Sequence, residues 1–153
     1  MRGNPLRRRR IKLAELHALA TELKRMMTVK THTGPRFIEK ARAVDSRLHD
    51  CIAESCGNAF LAKEISRLKI LFWALRDVAW ERAEARNDFH RLAEEAREHL
   101  AIVEALLARD PKAAARAMAL HIRSAVKYWS RALPTQTDPA GKELPSGSKK
   151  GSR

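Results

Sequence analysis

The sequence predicts an all-α fold, an antiparallel bundle of about five to seven helices followed by a disordered C-terminal tail. Three observations predict it. Apolar residues recur at three- and four-residue steps through most of the 153 residues, the spacing that places them on one helical face. Turn and cap signals interrupt the pattern at intervals suited to helices of three turns or more. No stretch shows the two-residue alternation of a half-buried strand.

The first helix is expected from about residue 9 to 28, with Leu13, Leu16, Ala20, Leu23 and Met27 inward. THTGP at 31–35 ends it, with glycine and proline as punctuation. Pro35 suits the first turn of a second helix reaching about Cys56, whose apolar face carries Ile38, Ala41, Leu48 and Ile52. Gly57-Asn58 supplies a glycine stop and then an asparagine N-cap. The third helix, with Leu61, Ile65, Leu68, Phe72, Leu75 and Ala79, is apolar over a wide arc that includes Ile70, Leu71, Trp73 and Val78. That width predicts a central position. The fourth runs from about Asn87-Asp88 to Ala108, with Leu92, Ala96, Val103 and Leu106 inward. Asp110-Pro111 opens the fifth, as N-cap and first helical residue. It runs to about Leu133, with Ala114, Met118, Ala125 and Trp129 inward. From 134 onward, Pro, Gly, Ser, Thr and Lys dominate and no core can form. The expected organisation is a basic arm (1–10), a helical domain (11–133) and a disordered tail (134–153).

The net charge is +13. Much of the excess lies in Arg2, Arg7 to Arg10 and Lys12, and in Lys142, Lys149, Lys150 and Arg153. A basic arm can contact phosphate backbones without sequence preference, or serve as a solubilising end. No apolar run approaches the roughly 18 residues that cross a bilayer, and no h-region follows the arginines. A cytoplasmic protein without membrane contact is expected. Cys51 and Cys56 match no zinc spacing and are expected to be small buried hydrophobes in a reducing compartment.

Polar residues on the inward stripes carry the functional signal. Asp45 and His49 share the apolar face of the second helix. His99 lies between Ala96 and Val103 on the fourth, and His121 between Met118 and Ala125 on the fifth. Imidazole and carboxylate are the usual ligands of a borderline divalent ion. Three facing helices could bring these four together, leaving open positions for a ligand's carboxylate oxygens. The alternatives are a satisfied core histidine and an Asp45 paired with His49 or Arg42, since a buried carboxylate needs compensation. His17, His32 and His90 are expected at the surface or boundary. A metal-dependent hydrolase would need a general base. His90 and Glu98 are the nearest candidates and neither is supported, so no enzyme is expected.

The segments VDSRLHDCIAESCGNAFL (44–61) and EHLAIVEALLARDPKAAARAMALHI (98–122), with the stretch between them, resemble the FCD domain, the C-terminal effector-binding domain of FadR-type regulators in the GntR family. The residues carrying the resemblance are Asp45, Leu48-His49, Gly57-Asn58, Glu98-His99, Asp110, Ala114, Met118 and His121; it spans about Ile11 to Leu133. It implies a helical bundle around a pocket, a divalent ion (commonly zinc or nickel) on Asp45, His49, His99 and His121, and a small carboxylate effector. It further implies a homodimer whose DNA-binding domains respond to the effector, and it makes Arg67 and Asn58 candidates for ligand binding, Arg67 through a bidentate contact. The family carries a winged helix-turn-helix before this domain, whereas only MRGNPLRRRR precedes the first helix here. The expectation is therefore a truncated regulator, a stand-alone sensor or a late start. Specific DNA contact would come through a missing or partner domain, and non-specific contact through the basic arm. Trp73, Trp80 and Trp129 are candidates for a pocket wall or an interface.

Overall fold

The computed structural model describes residues 13–28, 35–85 and 89–132. The basic arm, the THTG stretch, Asn87-Asp88, His32 and the expected tail lie outside these residues. Among the described residues the chain forms five helices and no strand: α1 (Leu13–Thr28), α2 (Pro35–Ser55), α3 (Ala59–Ala85), α4 (His90–Leu107) and α5 (Pro111–Ala132). Their boundaries follow the sequence signals closely.

The caps form as local chemistry demands. Gly57 adopts a φ of 71°, a left-handed conformation that costs a residue without Cβ nothing. The Asn58 side chain then accepts from the Leu61 amide at 3.0 Å. Asp110 accepts from the Ala113 amide at 2.9 Å, so both helices have one of their unpaired N-terminal amides satisfied. Between α4 and α5, Arg109 turns the chain with a φ of 56°.

The core lies where α4 meets α1, α2 and the C-terminal part of α3. Leu16, Leu19, Leu23 and Met26 from α1, Ile38, Val44 and Leu48 from α2, Trp80 from α3, and Leu92, Ala96 and Val103 from α4 form one buried cluster. The α1 stripe is rotated slightly from the expected one: Leu19 and Met26 are buried, while Leu13 is exposed. Arg47 ties α2 to α1 by reaching Glu15 and Glu22, each at 2.8 Å.

Two expectations are corrected. The third helix is not central. It packs on α2 and α5, while Phe60, Leu68, Ile70, Leu71 and Val78 remain exposed. Its apolar residues surround the whole circumference, and only one side finds neighbours. The central helix is α4, whose arc of small and branched residues meets a partner on each side. The cysteines are not buried either. Cys51 is half-buried and Cys56 exposed, because Cys56 falls in the turn after α2, where its thiol sits 3.4 Å from the Asn58 carbonyl oxygen.

Candidate metal centre and adjoining cavity

Asp45, His49, His99 and His121 converge. Each offers one ligand atom, and these atoms all lie within 4.8 Å of one another. Asp45 and His49 are one turn apart on α2, so their side chains share a face. His99 comes from the middle of α4 and His121 from the middle of α5. The Asp45 Oδ1 stands 3.4 Å from Nε2 of both His49 and His99, and His99 Nε2 is 3.2 Å from His121 Nε2. Asp45, His99 and His121 are buried, and His49 is largely covered.

Side chains around the cluster fix its orientation. Arg76, from α3, hydrogen-bonds the other oxygen of Asp45, which leaves Oδ1 turned toward the imidazoles. The same guanidinium contacts Asp77, 3.0 Å from its Nε. The Glu98 carboxylate accepts from His121 Nδ1 at 2.9 Å, so the Nε2 lone pair of a neutral His121 faces the cluster. Arg91 holds Glu98 in turn through both terminal nitrogens, at 2.9 and 3.1 Å. An arginine, a glutamate and a histidine thus form a chain from the α4–α5 seam into the site.

The electrostatics favour a charged carboxylate beside two imidazoles, His99 and His121, that stay neutral, while His49 is shifted the other way. Burial opposes the charged form of Asp45, but the His49 hydrogen bond and the charges of His99, His49 and Arg76 outweigh it and hold the carboxyl well below its usual range. Burial pushes His99 far below the ordinary imidazole value, with Asp45 opposing and the neighbouring histidines adding to the shift. Burial also lowers His121, against the pull of Glu98. His49 is raised: burial disfavours its proton, but the hydrogen bond and charge of Asp45, with Glu95, more than offset that. Glu95, one turn before His99, is pushed up to about 7 by burial and by the charge of Asp45, with Arg91 opposing. Its Oε2 has no hydrogen-bond partner among the described residues.

A cavity of about 340 Å³ adjoins the cluster between α3 and α5. Asp45, His49 and His121 form its polar end, and Phe72, Trp73 and Trp129 are among its apolar walls. Of the three tryptophans, Trp73 and Trp129 thus line the pocket and Trp80 belongs to the core.

The remaining candidates sit elsewhere. The Arg67 side chain is 72% exposed and faces Glu64 on its own helix at 3.4 Å, and Asn58 caps α3 at the exposed α2–α3 turn; neither is among the residues lining the cavity. Arg42, considered as the partner of Asp45, pairs with Asp77 and Glu81 instead. His17 and His90 are exposed. Arg76, Arg91 and Glu95 are not among the residues the sequence singles out, and Glu98 stands there as an unsupported general base and as part of the Glu98-His99 resemblance. A signal existed for each: Arg91, Glu95 and His99 are four residues apart on one face of α4, and Arg76 extends the Leu68–Phe72 step of α3.

The family model of the FCD domain matches residues 6–124. No curated protein and no solved structure matches the chain.

Proposed function

The chain belongs to the FCD domain family, the effector-binding regulatory domains of the GntR family, and on that premise we propose that it senses a small organic acid through a divalent ion held by Asp45, His49, His99 and His121. The observation that carries this reading is the convergence of one carboxylate oxygen and three imidazole nitrogens from three helices. Ligands bound at about 2.0–2.2 Å in a tetrahedral shell lie roughly 3.4 Å from each other. The Asp45–His49, Asp45–His99 and His99–His121 separations of 3.2–3.4 Å fit that spacing, and the whole set lies within 4.8 Å. Neutral imidazoles with carboxylate support are the donor chemistry of zinc and nickel sites.

The bound ion would supply a positive charge and open positions for a carboxylate of the effector. The chain's own groups do the rest. Arg76 holds Asp45 so that one oxygen faces the site. Glu98, braced by Arg91, keeps His121 in the tautomer that presents Nε2. Trp73, Trp129 and Phe72 keep water from one side of the bound molecule.

A sensor domain transmits by changing how two copies meet, and the exposed face of α3 suits a homodimer. Phe60 is 74% exposed and Ile70 72%, with Leu71 and Val78 also exposed, and several large apolar side chains left open on one helix suit an interaction surface. Sedimentation is expected to show a dimer that Ile70→Asp converts to monomer.

The test of the ion is elemental analysis of untagged protein, purified in metal-free buffer and reloaded, beside His99→Ala. Near-stoichiometric divalent metal in the wild type, lost in the variant, is the expected result. A wild type without metal after reloading would leave Asp45 and the histidines as a polar network inside a structural bundle.

A further inference from the structure

The walls of the cavity define the ligand class more narrowly than the ion does. Met118, Ile122, Val126 and Trp129 of α5 face Phe72 and Trp73 of α3 across it. The Phe72 and Trp129 rings stand 6.0 Å apart, centroid to centroid, in contact with each other, and join Trp73 in one apolar wall of the cavity.

Three charged side chains outside the proposed ligand set also line this cavity: Lys69, Arg76 and Glu95. The Lys69 ammonium pairs with Asp50 and lies 4.4 Å over the Trp73 ring. Arg76 directs its guanidinium nitrogens to Asp45 and Asp77. Both cations therefore already have carboxylate partners. Glu95 is 3% exposed and its Oε2 has no hydrogen-bond partner among the described residues.

A short ligand with two or three carboxylates, such as succinate or citrate, would place the extra ones against hydrocarbon, against paired cations, or against Glu95. Each placement strips hydration from a charge and returns little. One carboxylate on the ion meets no such penalty, and an apolar remainder gains from the α3–α5 walls. We infer that the effector is a monocarboxylate with an apolar tail, aliphatic or aromatic, its head at the Asp45–His121 cluster and its tail against Phe72, Trp73 and Trp129. This rests on the metal-and-carboxylate reading and names its ligand class. A volume of about 340 Å³ stands near the lower end of ligand sites, roughly 300–1,000 Å³. It suits a tail of several carbons or one ring. Ile122 and Val126 are half exposed at the outer wall, so longer tails emerge toward solvent and gain no further affinity.

The test is calorimetric titration of the metal-loaded full chain with sodium acetate, butanoate, hexanoate, octanoate, phenylacetate, succinate and citrate. Metal content is measured on the same samples. Affinity should rise by about threefold to fourfold per methylene from acetate upward and then level off. Phenylacetate should exceed acetate, and succinate and citrate should bind no more tightly than acetate. Trp129→Ala and Ile122→Ser should weaken hexanoate at least about fivefold more than they weaken acetate, the loss of one or two buried methylenes' worth of contact, with metal content measured on each variant. Succinate or citrate binding more tightly than hexanoate, or affinity independent of tail length, overturns the inference. Metal-free protein that shows the same rise with tail length overturns the ion and keeps the tail site. Metal-loaded protein that binds none of the acids keeps the ion and overturns the ligand class.

Discussion

Helices α3 and α4 invert the usual relation between composition and burial. The 27-residue α3 reads AFLAKEISRLKILFWALRDVAWERAEA and is apolar around much of its circumference, yet Phe60, Ile70 and Leu71 face solvent. The 18-residue α4 reads HRLAEEAREHLAIVEALL and carries charge throughout, yet Arg91, Glu95 and His99 are buried with Leu92, Ala96 and Val103. The contrast teaches that burial is set by how many sides of a helix find partners. Helix α4 has α1, α5 and α2 around it, whereas α3 has α2 and α5 on one side. Polar side chains can stand inside α4's environment because they bring their own partners: Arg91 has Glu98, and His99 faces Asp45 and His121.

The largest test of this contrast is truncation in the α4 core. Leu92 is 1% exposed, and Leu92→Ala is expected to cost about 2–5 kcal/mol, as buried leucines do. Denaturant unfolding measures it, and a loss below about 1 kcal/mol would mean that α4 is less central than its packing implies.

Glu95→Gln probes the polar side of α4. A carboxyl raised from 4.5 to about 7 disfavours its charged form in the folded state. The wild type therefore has the full benefit of a neutral Glu95 below pH 4.5 and loses it as pH rises toward 7. In metal-free protein, Glu95→Gln should be more stable than wild type at pH 8, by on the order of 2–3 kcal/mol. That gain should shrink to nothing as pH falls to 4.5. Equal stability at both ends would show that Glu95 is solvated or paired in solution.

Glu98→Gln reaches the cluster from outside. It keeps the shape of the side chain but weakens the bond that fixes His121, and supporting carboxylates of this kind are worth about 10–100-fold in metal affinity. Competition with a chelating dye reads the change, and an unaltered affinity would reduce Glu98 to a partner of Arg91. The smallest effect belongs to α3's outer surface. Arg67→Ala removes a 72%-exposed side chain facing Glu64 and should shift stability by less than about 0.5 kcal/mol. A larger loss would mean that this face is covered, as a dimer would cover it.

Much of the fold was legible one helix at a time. The caps at Asn58 and Asp110, the stop at Gly57 and the stripes of α2 and α4 are local features, set within a turn or two of chain. The inward positions of Asp45, His49, His99 and His121 were legible for the same reason, because helical periodicity fixes which face a residue shares. Periodicity cannot say which helix lies opposite. Arg76 was therefore missed as the partner of Asp45, since 31 residues separate them. Cys56 was misjudged because its hydrophobic character said nothing of the turn it occupies.

The sequence by itself determined an all-helical chain, the caps that punctuate it, and a set of ligand-type side chains on three inward stripes. Helix formation and capping are short-range, governed by backbone hydrogen bonds and spacing within a few residues. Tertiary packing alone decided that α4 is central and α3 peripheral, and that Glu98 steadies His121. It also left the Glu95 Oε2 without a hydrogen-bond partner among the described residues, beside a largely apolar cavity. Those outcomes depend on distances between atoms remote in the chain, and only the packed helices set those distances.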